Sequence, residues 1–174
     1  MHNKNINNIR VSNLEIKNLN ENGYFIGYAS VFNIRDLHND IIMPGAFAKS
    51  LETTEAEKIK ILWQHKHDFP IGHCLSIKED EYGLIIEGKL ILSISSASEA
   101  YLLMKHGIID SLSIGYNVIK STFSSDRKTR YITQIELWEV SLVTFPANRL
   151  ATILEVKDDA YLLQLIQRAI AIFK

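Results

Sequence analysis

The sequence predicts a mainly β protein with flanking helices (α+β), built as an antiparallel β-barrel of about seven strands. Three observations carry this expectation. Strand-type alternation dominates up to residue 93 and returns over 111–145. Helical spacing with end signals is confined to short stretches, most clearly 95–107. A sheet of this size exposes edges, and closure with helices laid over it is the economical way to protect them.

Taken in order, residues 1–9 are Asn-rich and read as a frayed terminus. IRVSNLEIKNL (9–19) alternates loosely, NENG marks a turn, and YFIGYASVF (24–32) reads as a strand. NIRDLHND is polar and loop-like. IIMPGAF follows with Pro44-Gly45 as a turn, and 46–58 fits a short helix. In IKILWQH (59–65), Ile59, Ile61, Trp63 and His65 share one face, and HKHDFP then reads as loop. IGHCLSIKED and GLIIEGKLIL form a strand pair joined around Asp80–Gly83. SSASEAYLLMKHG is a helix with Ser95 or Ser96 as N-cap, Lys105 and His106 in the last turn, and Gly107 as its terminator. A strand opens at 111, a polar hairpin occupies 121–130, and YITQIELWEVSLVTF returns until Pro146-Ala147-Asn148. DDAYLLQLIQRAIAIF (158–173) is an amphipathic helix. The expected division is therefore 1–155 for the β domain and 156–174 for a C-terminal helix that packs, dimerises or is removed.

Bulk properties narrow the function. The 174 residues suit one domain with a real core. Lys and Arg total 19 against 20 Asp and Glu, a net charge of −1, which predicts no nucleic-acid or anionic-membrane surface. The single cysteine, Cys74, permits no internal disulfide. A polar start without an apolar core and the lack of a 20-residue apolar run predict a soluble, intracellular protein.

Three side chains stand out. Glu139 lies in a strand whose two faces are largely apolar from residue 137 onward, so the carboxylate needs a partner or a rim position; Arg149 is one candidate. His65 ends the Ile59–Ile61–Trp63 face where strand gives way to loop, a place where functional residues collect and where half-exposed histidines are also ordinary. DSLSIGY (110–116) leaves one strand face nearly bare, at Ser111, Ser113 and Gly115, and glycine in a strand marks close approach by another chain. A serine nucleophile needs a base and the base an orienting partner; one rim of a small barrel could gather Ser113, His65 and Glu139. A zinc site is the competitor, because HKHDFPIGHC holds His65, His67, His73 and Cys74 within ten residues. Alternation puts His73 and Cys74 on opposite faces, however, and no Cys-x-x-Cys or His-Glu-x-x-His is present. Asp36, Asp40 and Asp68 fall in loops, as turn-formers or site residues.

Four segments in order, DIIMPGAF (40–47), LWQHKHDFPIG (62–72), DSLSIGY (110–116) and ELWEVSLVTFPAN (136–148), together resemble the HK97-type prohead (procapsid) maturation proteases of tailed bacteriophages. GLIIEGKL fits the same pattern, and the resemblance runs from about Gly27 to about Val156. It implies a serine endopeptidase with a fold related to herpesvirus assemblin. By motif match it implies His65 as base, Ser113 as nucleophile and Glu139 as third member, with Asp36, Asp40 and Asp110 as alternatives for that last role. It further implies no cofactor and no metal. The implied substrates are the phage capsid protein precursor and its scaffold region, cut inside the procapsid in the host cytoplasm; self-cleavage and a homodimer are also implied. A non-catalytic capsid or scaffold-binding protein is the alternative from a different class.

Overall fold

The computed structural model describes residues 23–157. The elements in chain order are β1 (Tyr24–Val31), β2 (Asp40–Ile42), helix α1 (Ala48–Thr53), a 3-10 turn (Ala56–Lys58), β3 (Lys60–Trp63), β4 (Lys66–Glu79), β5 (Gly83–Leu90), helix α2 (Ser95–Lys105), β6 (Ser111–Phe123), β7 (Arg130–Val143) and β8 (Ile153–Lys157). Eight strands join one sheet in the order β2-β7-β3-β4-β5-β1-β8, with β6 also paired to β7. The strand expected at 9–19 and the helix expected at 158–173 lie outside the described residues. β8 crosses the expected boundary between 155 and 156.

β7 organises the sheet because it is long enough to take three partners. β6 pairs with it over its whole length, antiparallel. Its other edge is shared: β2 pairs with Arg130–Ile132 and β3 with Glu139–Leu142, both parallel. Between those two, the Ile135 N–H donates to the Ala46 carbonyl and the Leu137 N–H to the Ser50 hydroxyl, so the α1 region supplies the acceptors that a strand would otherwise provide. The sheet is mainly antiparallel, as expected, and departs from the antiparallel pattern at these two ladders. Parallel neighbours need a crossover, and 43–129 for β2 and 64–129 for β3 supply connections of the required length.

The expected closed or nearly closed barrel is not found as a closed one. The ladders do not form a ring; β6 and the residue just before β8 meet through an isolated bridge, Ser111–Thr152, flanked by hydrogen bonds from Leu112 N–H to the Ala151 carbonyl and from Ile153 N–H to the Asp110 carbonyl. The core is one cluster that takes side chains from the sheet and from the helices, and Phe25, Phe47, Ile61, Leu84, Leu112 and Leu142 are fully buried in it. Ala97, Ala100, Tyr101 and Met104 give α2 its buried face at helical spacing.

End signals divide in the same element. Gly107 stands just past α2 with φ +65°, its N–H bonded to the Met104 carbonyl and that of Ile108 to Leu103, a complete Schellman motif. At the other end Ile94 occupies the N-cap position and no side chain caps the helix, so Ser95 and Ser96 are already inside it. The segment expected as loop after His65 is strand: β4 begins at Lys66 and pairs back on β3 across a two-residue hairpin. Among the described residues no helix is long and apolar enough to cross a membrane.

Candidate active site

The β3–β4 hairpin places His65. Trp63 pairs with Lys66, and the two residues between them, Gln64 and His65, both have left-handed backbone, φ +54° and +58°. Positive φ at both central positions is the twist that a tight hairpin requires. Gly and Asn adopt it most easily; here Gln and His do, and side chains hold them. Gln64 Nε2 donates to Thr144 Oγ1 at 2.9 Å and Gln64 Oε1 accepts the Thr144 N–H at 3.2 Å. The His65 N–H donates to Ser141 Oγ at 3.1 Å.

β7 places Glu139. Residues 139–143 are buried without exception, as the two-faced apolar pattern predicts, whereas Trp138 just before them is 51% exposed. Glu139 is 6% exposed and its carboxylate is fully engaged: Oε1 meets His65 Nδ1 at 2.7 Å and Oε2 accepts the Ser141 hydroxyl at 2.8 Å. The partner that makes burial of this acid tolerable is therefore His65 together with Ser141, not Arg149. An ionised carboxylate only accepts, so Nδ1 carries a proton and the neutral ring keeps its free lone pair on Nε2.

β6 places Ser113. In the β6–β7 register Ser113 faces Ser141 and Gly115 faces Glu139. Directly opposed residues project to the same face of a ladder, so Ser113, Gly115, Glu139 and Ser141 share one surface. Ser113 is 7% exposed and, with His65, lines a cleft of about 510 Å³. Ile114, Gly115 and Tyr116 continue that wall, and Asp36, Asp40 and Phe145 belong to the rest of it.

The bare face of DSLSIGY has a different cause from the one expected at Gly115. A Cβ there would collide with the Glu139 carboxylate, meeting its Cγ and Cδ at 2.9 and 3.0 Å, so the close approach that demands glycine comes from Glu139 across the ladder. Ser111 turns to Asp110, donating its hydroxyl to Oδ1 at 2.7 Å.

The aspartates considered as alternatives have other work. Asp36 Oδ1 accepts the N–H groups of His38 and Asp40, forming the turn of the 33–39 loop. Asp40, buried, is paired bidentately with Arg130. Burial pushes the Tyr116 hydroxyl beside them up to about 12, with the Asp40 and Asp36 charges adding to the rise. Neither Asp36, Asp40 nor Asp110 hydrogen-bonds to the His65 ring, which is Glu139's partner. Exposed Asp68 lies within β4.

The zinc alternative gains no support. His65 Nδ1 is committed to Glu139, His67 is exposed on β4, and Cys74 is fully buried with its thiol pushed up to about 12, first by burial and then by the Glu139 charge. Among the described residues no three His, Cys, Asp or Glu side chains are gathered as a metal site. Ser141 was legible only as one more residue on the Glu139 face; its role as the link between His65 and Glu139 has no sequence signal, because the turn that delivers the His65 amide was unrecognised.

The fold is that of the herpesvirus proteases. A crystal structure of KSHV protease in complex with a hexapeptide phosphonate inhibitor aligns with a TM-score of 0.55 at 15% identity, covering 84% of this chain and 77% of that one. Residues 8–162 match the caudovirus prohead serine proteases, and the chain belongs to that family. The prohead protease of Enterobacteria phage HK97 is 38% identical over 138 residues, covering 78% of this chain and 61% of the relative. That of Escherichia phage T5 is 32% identical over 127 residues, covering 72% and 59%. The chain thus spans about three fifths of the length of these two relatives.

Proposed function

We propose that the chain is a serine endopeptidase that cleaves a phage capsid precursor and its scaffold region inside the procapsid, with Ser113 as nucleophile, His65 as base and Glu139 as the orienting acid. The observation that carries this reading is the 2.7 Å contact between His65 Nδ1 and Glu139 Oε1, made by a histidine that shares a cleft with Ser113. Family membership supports the reaction class, and the prohead relatives support the capsid substrates and the procapsid as the place of action.

In this mechanism the Nδ1–H bond to Glu139 leaves Nε2 to take the Ser113 hydroxyl proton as Oγ attacks the scissile carbonyl carbon. The imidazolium so formed is stabilised by the buried carboxylate. It returns its proton to the leaving amine as the C–N bond breaks and an acyl-serine remains. Water, deprotonated by the same ring, attacks the ester and releases the carboxylate product, restoring Ser113. Exposure of the imidazole, 43% against 7% for the Glu139 side chain, suits a base open to the substrate and an acid closed to water.

The test is cleavage of the capsid precursor by the purified chain, paired with labelling by a fluorophosphonate probe. Wild type should cleave and become labelled at Ser113, and Ser113→Ala should do neither. Precursor cleavage by Ser113→Ala at the wild-type rate overturns the assignment. A wild-type chain that binds precursor but neither cleaves nor is labelled supports the capsid-binding alternative instead. The homodimer implied by the family rests on the same reading, and sedimentation of the purified chain decides it.

A further inference from the structure

We infer that Ser141 is a positioning residue of this site: its hydroxyl ties the backbone of His65 to the far oxygen of Glu139 and holds base and acid in one arrangement. The inference rests on the protease reading above. Ser141 is 0% exposed, so its hydroxyl bonds only to protein. A serine hydroxyl has one hydrogen and two lone pairs to offer. The hydrogen goes to Glu139 Oε2 at 2.8 Å, and one lone pair accepts the His65 N–H at 3.1 Å.

Each of those two groups depends on it. Glu139 uses Oε1 for the His65 ring, so Oε2 of this buried side chain has the Ser141 hydroxyl as its donor and loses it with that hydroxyl. With both oxygens held, the carboxylate plane cannot rotate, and the direction of its bond to Nδ1 is set. His65 sits at the second position of a turn with left-handed backbone, a conformation that a residue with a side chain holds only when its surroundings insist. Its amide is anchored to the most buried part of β7, which fixes where the side chain starts. Ser141 also stands level with Ser113 across the β6–β7 ladder and with Leu62 across the β3–β7 ladder. One atom thus connects the strand that carries the acid to the turn that carries the base, at the height of the nucleophile. Loss of that connection leaves the ring a range of positions, and a misplacement of about 1 Å costs on the order of a hundredfold in rate.

The variants Ser141→Ala and Ser141→Thr test this, the second keeping a hydroxyl. Two quantities are read: the rate at which a fluorophosphonate labels Ser113, and the downfield proton NMR signal of the His65 Nδ1–H, assigned by its absence in His65→Gln. Ser141→Ala should label about ten- to a hundredfold slower than wild type, with the Nδ1–H signal broadened or lost to exchange, and Ser141→Thr should recover most of the rate and the signal. Wild-type labelling by Ser141→Ala with the signal intact overturns the inference. So does slow labelling with an intact signal that threonine leaves uncorrected, because it marks a merely structural residue. Should the alanine variant not fold, Ser141→Cys keeps the volume while weakening the donor and is read by the same outcomes. Failure of the protease reading looks different: wild type itself is not labelled at Ser113, while the imidazole signal still reports whether Ser141 holds His65.

Discussion

Gly115 lies directly across the β6–β7 ladder from Glu139, and the carboxylate occupies the space that a side chain at 115 would fill. The acid is buried beside its partner strand rather than beneath it, and the glycine is the condition for that placement. Gly115→Ala should therefore act on the site as well as on packing. The added methyl must push the carboxylate away from His65 or shift the ladder. Overpacking of this kind costs about 1–3 kcal/mol, and displacement of the acid should slow Ser113 labelling about a hundredfold. Thermal unfolding and labelling measured on one preparation separate the two effects. Labelling at the wild-type rate would mean that the Glu139 carboxylate has no required position.

Glu139→Gln asks a different question, because it keeps the shape and changes the hydrogens. An amide at 139 can turn its NH₂ toward Nδ1, and the ring then carries its proton on Nε2, where it cannot act as a base. In the Ser-His-Asp template that tautomer error costs about 10⁴-fold in kcat, and a loss of about 10³–10⁴-fold is expected here. Cleavage of a peptide spanning the capsid-precursor site measures it. A loss below about tenfold would place the proton control elsewhere than Glu139.

What the sequence made legible follows from which signals are local. The burial of 139–143 on both faces is written in the run from Glu139 to Val143, and the need of Glu139 for a partner follows from that burial. Gly107 was legible because helix termination has a compact code. The β3–β4 turn was not, since Gln64-His65 carries none of the Asn-Gly chemistry that announces a tight hairpin, and its left-handed backbone is imposed by Thr144 and Ser141, roughly 80 residues away in sequence. Gly115 was legible as a close approach but assigned to the wrong neighbour, because register across a ladder is a tertiary fact. The parallel pairings of β2 and β3 with β7 were hidden for the same reason.

That distant support gives a prediction at Gln64. Gln64→Asn puts at φ +54° a residue that tolerates left-handed backbone better, yet one methylene too short to keep both bonds to Thr144. The two hydrogen bonds lost are solvent-exposed, so stability should change by no more than about 1 kcal/mol. The turn, however, loses its side-chain tie to Thr144 and keeps only the bonds from Gln64 N–H to the Leu142 carbonyl and from His65 N–H to Ser141 Oγ, and Ser113 labelling should fall several-fold. Urea unfolding beside labelling kinetics checks the pair of outcomes. A variant as fast as wild type would show that the bonds of the turn to Leu142 and Ser141 suffice to place His65 without Thr144.

The alkaline limb of stability follows from one buried and one half-buried acid that the fold keeps protonated. Burial lifts the Cys74 thiol from 9.0 to about 12, with the Glu139 charge adding to it, and burial lifts Tyr116 from 10.0 to about 12, with Asp40 and Asp36 adding and Arg130 opposing. From about pH 9 to 12 for Cys74, and from about 10 to 12 for Tyr116, the unfolded chain has released the proton while the folded chain retains it. The unfolded state then binds fewer protons, so unfolding becomes easier as pH rises. Their contribution is fully present below pH 9 and is lost on the way to 12. Cys74, fully buried, should account for a slope approaching about 1.4 kcal/mol per pH unit within that window. Urea midpoints taken from pH 8 to 11 should fall steadily in wild type and fall less in Cys74→Ala, whose lower starting stability reflects the cavity and not the titration. The same burial predicts that a thiol reagent at pH 8 modifies Cys74 in urea but not in the native protein. Equal slopes in the two chains would show that the thiol ionises in the fold as freely as it does outside it.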